Sequence, residues 1–204
     1  MLNPKIQHLT LYAKENTITD ICMVECVDSP YIQPQRLNYV ENGYKKSWDF
    51  IKSHDSVSIV LHNVETDSLI VVRQFRPPVF VREGNKATYV YELCAGLVDK
   101  PNKSVEQIAV EEVMEECGYK VGLDNLQKIN TFRNSVGSSG AKQHMFYARV
   151  DSKDKHSEGG GVDGEVIEYF EIAREDLLDF LQEESIIKTP SLGFGILWFL
   201  QYTT

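Results

Sequence analysis

The chain has 204 residues, of which 21 are lysine or arginine and 30 are aspartate or glutamate, giving a formal net charge of −9. This length suits one ordinary domain with a small appended subdomain. Hydrophobic residues make up 42% and charged residues 25% of the chain, which excludes a disordered or collagen-like protein. Nucleic-acid backbones are bound by clustered lysine and arginine, so we do not expect this acidic chain to bind nucleic acid.

The cysteines and histidines lack the spacing of a zinc site. Four cysteines occur without a CxxC pair, and five histidines occur without an HxxxH or HExxH pattern. Residues 1–14 lack the apolar run of a secretory signal peptide, so we expect a cytoplasmic protein with free thiols. The longest apolar stretch, 193–200, is far shorter than the ~20 residues that cross a bilayer, and we expect no membrane association.

Short runs of apolar and β-branched residues in the first half of the chain predict β-strands. The predicted strands are Ile6 to Tyr12, Ile18 to Val27, Leu37 to Val40, Val57 to Leu61, Leu69 to Phe75 and Thr88 to Leu93. Asn42-Gly43 follows the third of them and predicts a hairpin, because this dipeptide tolerates positive φ at both central positions of a type I′ turn. Trp48 on the second arm either packs within the sheet or offers an aromatic platform for a flat ligand.

One helix can be bounded from the sequence. Ser104 and Gln107 match the S-x-x-Q capping box, and Gly118 suits the left-handed conformation that ends a helix, so we predict a helix from Ser104 to Cys117. Beyond it, the pattern predicts strands over Leu126 to Phe132, Gln143 to Val150 and Glu165 to Ile172, and helices over Glu175 to Glu184 and Leu192 to Tyr202.

The predicted helix concentrates negative charge, since residues 104–119 include five glutamates and no lysine or arginine. At about 100° per residue, the apolar residues share one arc and four glutamates share the opposite arc. Those four are Glu111, Glu112, Glu115 and Glu116. Pairs of them four residues apart repel each other by about 0.2–0.5 kcal/mol, near the helix end where the dipole disfavours anions. Either the helix is a solvated surface element or a divalent cation binds there, and carboxylate ligands favour Mg²⁺ or Mn²⁺ over zinc.

The segment GLVDKPNKSVEQIAVEEVMEECGY, residues 96–119, resembles the Nudix box, G-x5-E-x7-R-E-U-x-E-E-x-G-U, where U is a bulky apolar residue. The match is strong in its second half, from Glu112 to Tyr119. Two features depart from the pattern. Glu111 replaces the usual arginine, and the interval after Gly96 is one residue longer, which leaves the first glutamate of the pattern without an aligned counterpart.

Four further stretches, WDFIKSHDSV, VVRQFRPPV, YELCAGLVD and DGEVIEYF, are similar to the branch of the Nudix family that acts on sugar nucleotides. The resemblance implies an α+β fold, a Nudix α/β/α sandwich with a mixed sheet and a small N-terminal antiparallel β subdomain. It implies a subdomain over 1–52, used for dimerisation and part of the substrate site, and a hydrolase domain over 53–204. It also implies a homodimer.

The resemblance also implies roles for individual residues. Mg²⁺, with Mn²⁺ as an alternative, is bound by the carbonyl of Ala95 and by three carboxylates, those of Glu112, Glu115 and Glu116. Glu112 also counts among the catalytic residues through the metal that it binds. Glu165 is the general base and Glu168 its reserve, on a loop whose glycines at 159–161 and 164 act as hinges. Arg76, Trp48 and Gly96 contact the substrate.

The implied reaction is hydrolysis of a nucleoside diphosphate sugar, with UDP-glucose giving UMP and glucose 1-phosphate. ADP-ribose, giving AMP and ribose 5-phosphate, is the alternative substrate. Two other classes stay open. Residues 137–141, GSSGA, are one residue short of a serine-hydrolase elbow, which must join a strand to a helix. The replacement of the arginine by Glu111 would also fit a binding module without catalysis.

Overall fold

The computed structural model describes residues 6–8, 18–84 and 89–203, and for 6–8 it describes the backbone alone. Its strands are β1 (Ile6–His8), β2 (Gln33–Glu41), β3 (Tyr44–Lys52), β4 (Ser56–Asn63), β5 (Ser68–Phe75), β6 (Tyr89–Glu92), β7 (Cys94–Leu97), β8 (Gln127–Arg133), β9 (Lys142–Val150) and β10 (Ile167–Ala173). Its α-helices are α1 (Pro77–Arg82), α2 (Val105–Cys117), α3 (Leu177–Gln182) and α4 (Pro190–Tyr202). None of the helices in these ranges is long and apolar enough to cross a membrane.

Eight strands form one mixed sheet. Its main path runs β1-β10-β5-β4-β9-β8, with β6 beside β5 and β7 beside β4. The pairing of β4 with β9 is parallel, and the other pairings are antiparallel. Strands β2 and β3 form a separate antiparallel sheet. The predicted α+β class, with a mixed sheet and a small antiparallel unit, is confirmed.

Helices cover both faces of the mixed sheet because successive side chains of a strand point to opposite sides. Ile59 of β4 belongs to the apolar cluster that includes Val113 of α2. Its neighbour Val60 belongs to a second cluster with Phe180 of α3 and Phe199 of α4. The sheet is therefore the middle layer of an α/β/α sandwich, with α2 on one side and α3 and α4 on the other.

The sheet forks in the middle, and the fork positions the candidate site. Strands β4 and β5 pair from Leu61↔Ile70 to Asn63↔Ser68 and then separate. Beyond that point β7 pairs with the free edge of β4, and β6 pairs with the free edge of β5. Leu93 joins β6 to β7 and is 1% exposed. The fork thus brings β7 next to α2, where the Ala95 amide donates a hydrogen bond to Glu116.

In the first half of the chain one sequence prediction is wrong and one helix was not predicted. Ile18 to Val27 is not a strand but irregular chain, with Val27 85% exposed. Its apolar composition fits a strand, but no strand among the residues that the structure describes pairs with it. Helix α1 was not predicted, although Pro77 and Pro78 stand at its first positions, where proline favours a helix start.

The remaining predicted elements are confirmed within two residues at their ends, except that β2 begins at Gln33, four residues before the predicted start at Leu37. The strand predicted over Thr88 to Leu93 is β6, and β7 follows directly. The strand predicted over Ile6 to Tyr12 is confirmed for 6–8, while residues 9–12 and Thr88 lie outside the described residues. The final two helices, α3 and α4, fall inside or next to their predicted ranges.

The β2–β3 hairpin turns at Asn42 and Gly43, whose φ angles are +52° and +81°, as a type I′ turn requires. Both of its faces are largely exposed. Three hydrogen bonds join the hairpin and the residue that follows it to the loop between β8 and β9. They run from the indole Nε1 of Trp48 to the Gly137 carbonyl (2.9 Å), from the Ile51 amide to the Ser138 carbonyl (2.7 Å) and between the hydroxyls of Ser53 and Ser139 (2.6 Å).

Candidate active site

Helix α2 begins and ends as the sequence predicts. The Ser104 hydroxyl accepts a hydrogen bond from the Gln107 amide (3.2 Å), and the Gln107 side-chain oxygen accepts one from the Ser104 amide (2.8 Å). Gly118 ends the helix with φ +73°. These caps satisfy orphan backbone groups at both ends, so the carboxylates of the helix are carried on a rigid element.

Glu116 is buried, although the helical spacing placed it on the acidic arc opposite the apolar residues. It is 3% exposed, and its Oε2 accepts a hydrogen bond from the Ala95 amide at 3.0 Å. Three residues along a helix turn back to within about 60° of the starting direction, so Glu116 lies close to buried Val113. Position on the helix alone could not reveal that β7 provides a donor there.

Glu112 lies directly over Gly96. A Cβ atom added to Gly96 would be 2.0 Å from the Glu112 Oε1 atom, which is well inside van der Waals contact, so a larger residue would displace the carboxylate. Glycine at this position therefore makes room for the Glu112 carboxylate beside the strand. The predicted contact of Gly96 with substrate stays a prediction.

Two lysines from the loop before α2 neutralise the other half of the acidic face. Lys103 Nζ lies 2.6 Å from Glu111 Oε1, and Lys100 Nζ lies 3.1 Å from Glu111 Oε2 and 3.8 Å from Glu115 Oε1. Counting charges along the helix missed these partners because the loop folds back over it. The absence of lysine and arginine from residues 104–119 therefore does not leave the charges of Glu111 and Glu115 without partners.

Burial raises the pKa of both remaining carboxyl groups. The pKa of Glu112 rises to about 7, because the group is desolvated and lies near the charge of Glu115. The pKa of Glu116 rises to about 8, chiefly by burial and against the hydrogen bonds from Cys94 and Ala95. Within the described residues neither group forms an ion pair with lysine or arginine. A cation bound beside them would therefore stabilise the ionised form of both carboxyl groups.

The residues around these two carboxylates fit a Mg²⁺ ion that also binds substrate. No three histidine, cysteine, aspartate or glutamate side chains within the described ranges form a metal-binding group by themselves. Mg²⁺ keeps several waters and is commonly held by one or two carboxylates together with substrate phosphates. Glu112 and Glu116, with the backbone of Ala95 between strand and helix, supply a donor set of that kind.

Arg76 joins the same group of charges. Its guanidinium forms a two-pronged ion pair with Glu92 at 2.6 and 3.1 Å. Burial lowers the pKa of Arg76, but Glu92 and then the charges of Glu116 and Glu165 raise it overall. Glu92 was not predicted from the sequence, although it begins the ELCAG stretch at the end of β6. It holds the guanidinium in one orientation.

Cys94 is a second unpredicted neighbour. Its thiol is fully buried and hydrogen-bonds both Cys117 and the Glu116 carboxylate, and burial raises its pKa. The Glu116 carboxylate is therefore held from β7 by a backbone amide and a thiol.

The glycine-rich loop is tied to the end of α2. The amides of Gly160 and Gly161 donate to the carbonyls of Glu116 (2.8 Å) and Glu115 (3.0 Å), and Lys155 Nζ donates to the carbonyl of Cys117 (2.8 Å). Amides and a cation at a helix C-terminus offset the helix dipole. In this conformation the backbone of Gly160 and Gly161 is hydrogen-bonded to the helix, and the predicted hinge role stays a prediction.

The two candidate bases lie in different surroundings. Glu165 is exposed at the tip of the loop, and its charge contributes to the raised pKa of Glu112. Glu168 forms an ion pair with Arg73, whose guanidinium lies over the ring of Phe170 on the α3/α4 side of the sheet. Residues 158–168 line a cavity of ≈ 280 Å³. Of the two, Glu165 is the one coupled to the carboxylates of α2.

Trp48 and the serine motif do not join this cluster. Trp48 is 52% exposed and donates to the loop after β8. That loop joins two antiparallel strands, which is wrong for a nucleophile elbow, since an elbow leads from a strand into a helix. A serine hydrolase is therefore excluded.

Comparison with known proteins agrees with this geometry. The NUDIX domain family matches residues 52–189, which is more than half of the chain, and the chain belongs to the Nudix hydrolase family. It is 36% identical, over 89% of its length, to a uridine diphosphate glucose pyrophosphatase of Bos taurus, of which 94% is covered. The mouse protein of the same name is also 36% identical, over 85% of this chain and 90% of its own. A GDP-mannose pyrophosphatase of Pectobacterium atrosepticum is 34% identical over 65% of this chain and 66% of its own.

Proposed function

We propose that this protein is a Mg²⁺-dependent diphosphatase of nucleotide sugars that converts UDP-glucose into UMP and glucose 1-phosphate. The observation that carries the proposal is the pair of partly or fully buried carboxylates of Glu112 and Glu116, which lie beside the backbone of β7 at Ala95 and Gly96. Within the described residues neither carboxylate has an ion-pair partner. The relatives named for UDP-glucose and GDP-mannose support a nucleotide-sugar substrate. The four free cysteines support a cytoplasmic location.

Three residues would hold the metal. Glu112 and Glu116 supply carboxylate oxygens, Ala95 supplies its carbonyl, and Glu115 supports the cluster while paired with Lys100. Mg²⁺ is the expected ion, and Mn²⁺, which also prefers oxygen ligands, should replace it. When bound, the ion polarises phosphoryl oxygens and lowers the pKa of its water. The ion also offsets the repulsion between a protein of net charge −9 and an anionic diphosphate.

The chain's own groups supply the rest of the chemistry. Arg76, held by Glu92 and 43% exposed at its side chain, binds phosphate oxygens through paired charge-assisted hydrogen bonds. Glu165 accepts the proton of the attacking water, which makes that water a better nucleophile at phosphorus. Gly96 has no side chain, and the space this leaves beside β7 is taken by the Glu112 carboxylate.

A comparison of substrates tests the proposal. Purified protein with Mg²⁺ should release UMP from UDP-glucose with a kcat/KM at least tenfold above that for ADP-ribose or GDP-mannose, and EDTA should abolish the reaction. A tenfold preference corresponds to about 1.4 kcal/mol of differential transition-state binding. A preference for ADP-ribose would instead support the alternative substrate. Absence of turnover with all three, by folded protein, would favour a binding module without catalysis.

We also propose that residues 1–52 mediate a homodimer and reach the substrate site of the partner, with the hydrolase domain over 53–204. The β2–β3 hairpin supports this, because Leu37, Val40 and Tyr44 are each more than half exposed and an isolated two-stranded sheet is marginally stable. Light scattering should therefore give twice the chain mass. The double variant Leu37→Lys, Val40→Lys should be monomeric, and a monomeric wild-type protein would refute the proposal.

A further inference from the structure

The acidic face of α2 is divided into two halves that differ in how their charge is met. Glu111 and Glu115 are exposed by about a third and lie within 4 Å of lysine ammonium groups. Glu112 and Glu116 are more deeply buried and have no such partner in the described residues. This division follows from the path of residues 98–103, which carry both lysines alongside the helix.

We propose that Lys100 is a tethered counter-cation of the active site: it competes with divalent metal for Glu115 and so confines the metal to Glu112 and Glu116. This inference rests on the proposed metal-dependent function. Lys100 Nζ bridges Glu111 and Glu115, at 3.1 and 3.8 Å, whereas Lys103 contacts Glu111 alone, at 2.6 Å. Of these two lysines, Lys100 is therefore the one whose ammonium lies beside the predicted metal ligands.

The physical effect of Lys100 is twofold. In the metal-free protein it reduces repulsion between carboxylates that lie four residues apart, and so stabilises α2. In the metal-bound protein it repels the divalent ion, because like charges at short range in a partly buried site interact strongly. Removing the charge should therefore destabilise the metal-free protein and tighten metal binding, two changes of opposite sign that loss of packing alone would not produce.

The experiment measures Mn²⁺ binding by the loss of the free-ion electron paramagnetic resonance signal, with melting temperatures in EDTA and in Mn²⁺. In Lys100→Gln the Kd for Mn²⁺ should fall about two- to fivefold, as expected for one partly exposed charge pair. The melting temperature should fall in EDTA and rise more than in wild type when Mn²⁺ is added.

Three matched variants separate the proposal from general effects of charge. Lys100→Arg keeps the charge and should bind Mn²⁺ like wild type. Lys103→Gln, which leaves Glu115 paired, and Lys128→Gln, an exposed lysine of β8, lower the net charge equally and should change Kd by less than twofold. An unchanged or weaker affinity in Lys100→Gln would overturn the inference. If wild type and variants alike bind no Mn²⁺, the proposed function itself fails.

Discussion

Glu116→Gln should lower kcat/KM for nucleotide-sugar hydrolysis by about 10³-fold or more. Charge stabilisation by a catalytic metal contributes several kcal/mol to the transition state, and each 1.36 kcal/mol is a factor of ten in rate. The glutamine oxygen can still accept the hydrogen bond that the Ala95 amide donates to Glu116, so the variant should fold. Steady-state kinetics and circular dichroism measure the two outcomes together.

The matched control is Glu106→Gln, in the first turn of the same helix and away from β7. It should keep activity within about twofold of wild type, since substitutions remote from the site have small effects. A Glu116→Gln enzyme that retains a tenth of wild-type kcat/KM would refute the metal-binding role of this carboxylate.

Glu116 should also control the pH dependence of stability in the metal-free protein. Its pKa rises from 4.5 to about 8 on folding, so between those values the folded state keeps a proton that the unfolded state has lost. The free energy of unfolding should therefore fall as pH increases through this window. Glu112, with a pKa raised to about 7, acts in the same direction. Urea titrations in EDTA should show a shallower fall for Glu116→Gln and a reduced fall when Mg²⁺ is present.

Gly159→Ala should disrupt both the loop and the activity. Gly159 has φ +66°, and an added Cβ would be 2.5 Å from the Glu116 carbonyl oxygen and 2.8 Å from the carbonyl carbon of Cys117. Backbone atoms cannot move aside cheaply, so the loop must leave the helix end, and the hydrogen bonds from Gly160 and Gly161 would break. We expect a loss of about 2–4 kcal/mol in stability and at least a tenfold drop in kcat, because Glu165 moves with the loop.

Gly84→Ala isolates the backbone-conformation part of this effect, so that the difference between the two variants gives the steric part. Gly84 has a similar φ of +72°, but an added Cβ would meet nothing within 4 Å. It should therefore show the cost of a left-handed alanine alone, about 1–2 kcal/mol, with activity unchanged. Equal losses in the two variants would contradict the tie between the glycine-rich loop and α2.

Local chemistry made much of the fold predictable. The capping box at Ser104, the left-handed stop at Gly118 and the Asn42-Gly43 turn depend on neighbours in sequence, and all three were predicted correctly. The segment Ile18 to Val27 failed because forming a strand depends on a partner strand far away in the chain. The same reason explains why the fork between β4 and β5 was invisible, since it depends on register and not on composition.

The candidate site also contains residues that the sequence pattern identified and residues whose role depends on contacts between distant parts of the chain. The family pattern brought Ala95, Gly96, Glu112 and Glu116 into consideration, and the fold brings them together. The pattern did not reveal that Lys100 folds back onto the helix, or that Cys94 and Glu92 support the neighbouring charges from the strands. These contacts are made across tertiary space, with no periodic signal in the sequence.

The tie between the glycine-rich loop and α2 also bears on how the protein acquires activity as it folds. Arg76 and Glu165 are 89 positions apart in the chain, and closing so long a segment is entropically costly and slow. Catalytic competence should therefore emerge late, after the hydrophobic layers have assembled, and a nascent polypeptide that ends before residue 160 would lack the two amides that donate to the Glu115 and Glu116 carbonyls of the acidic helix.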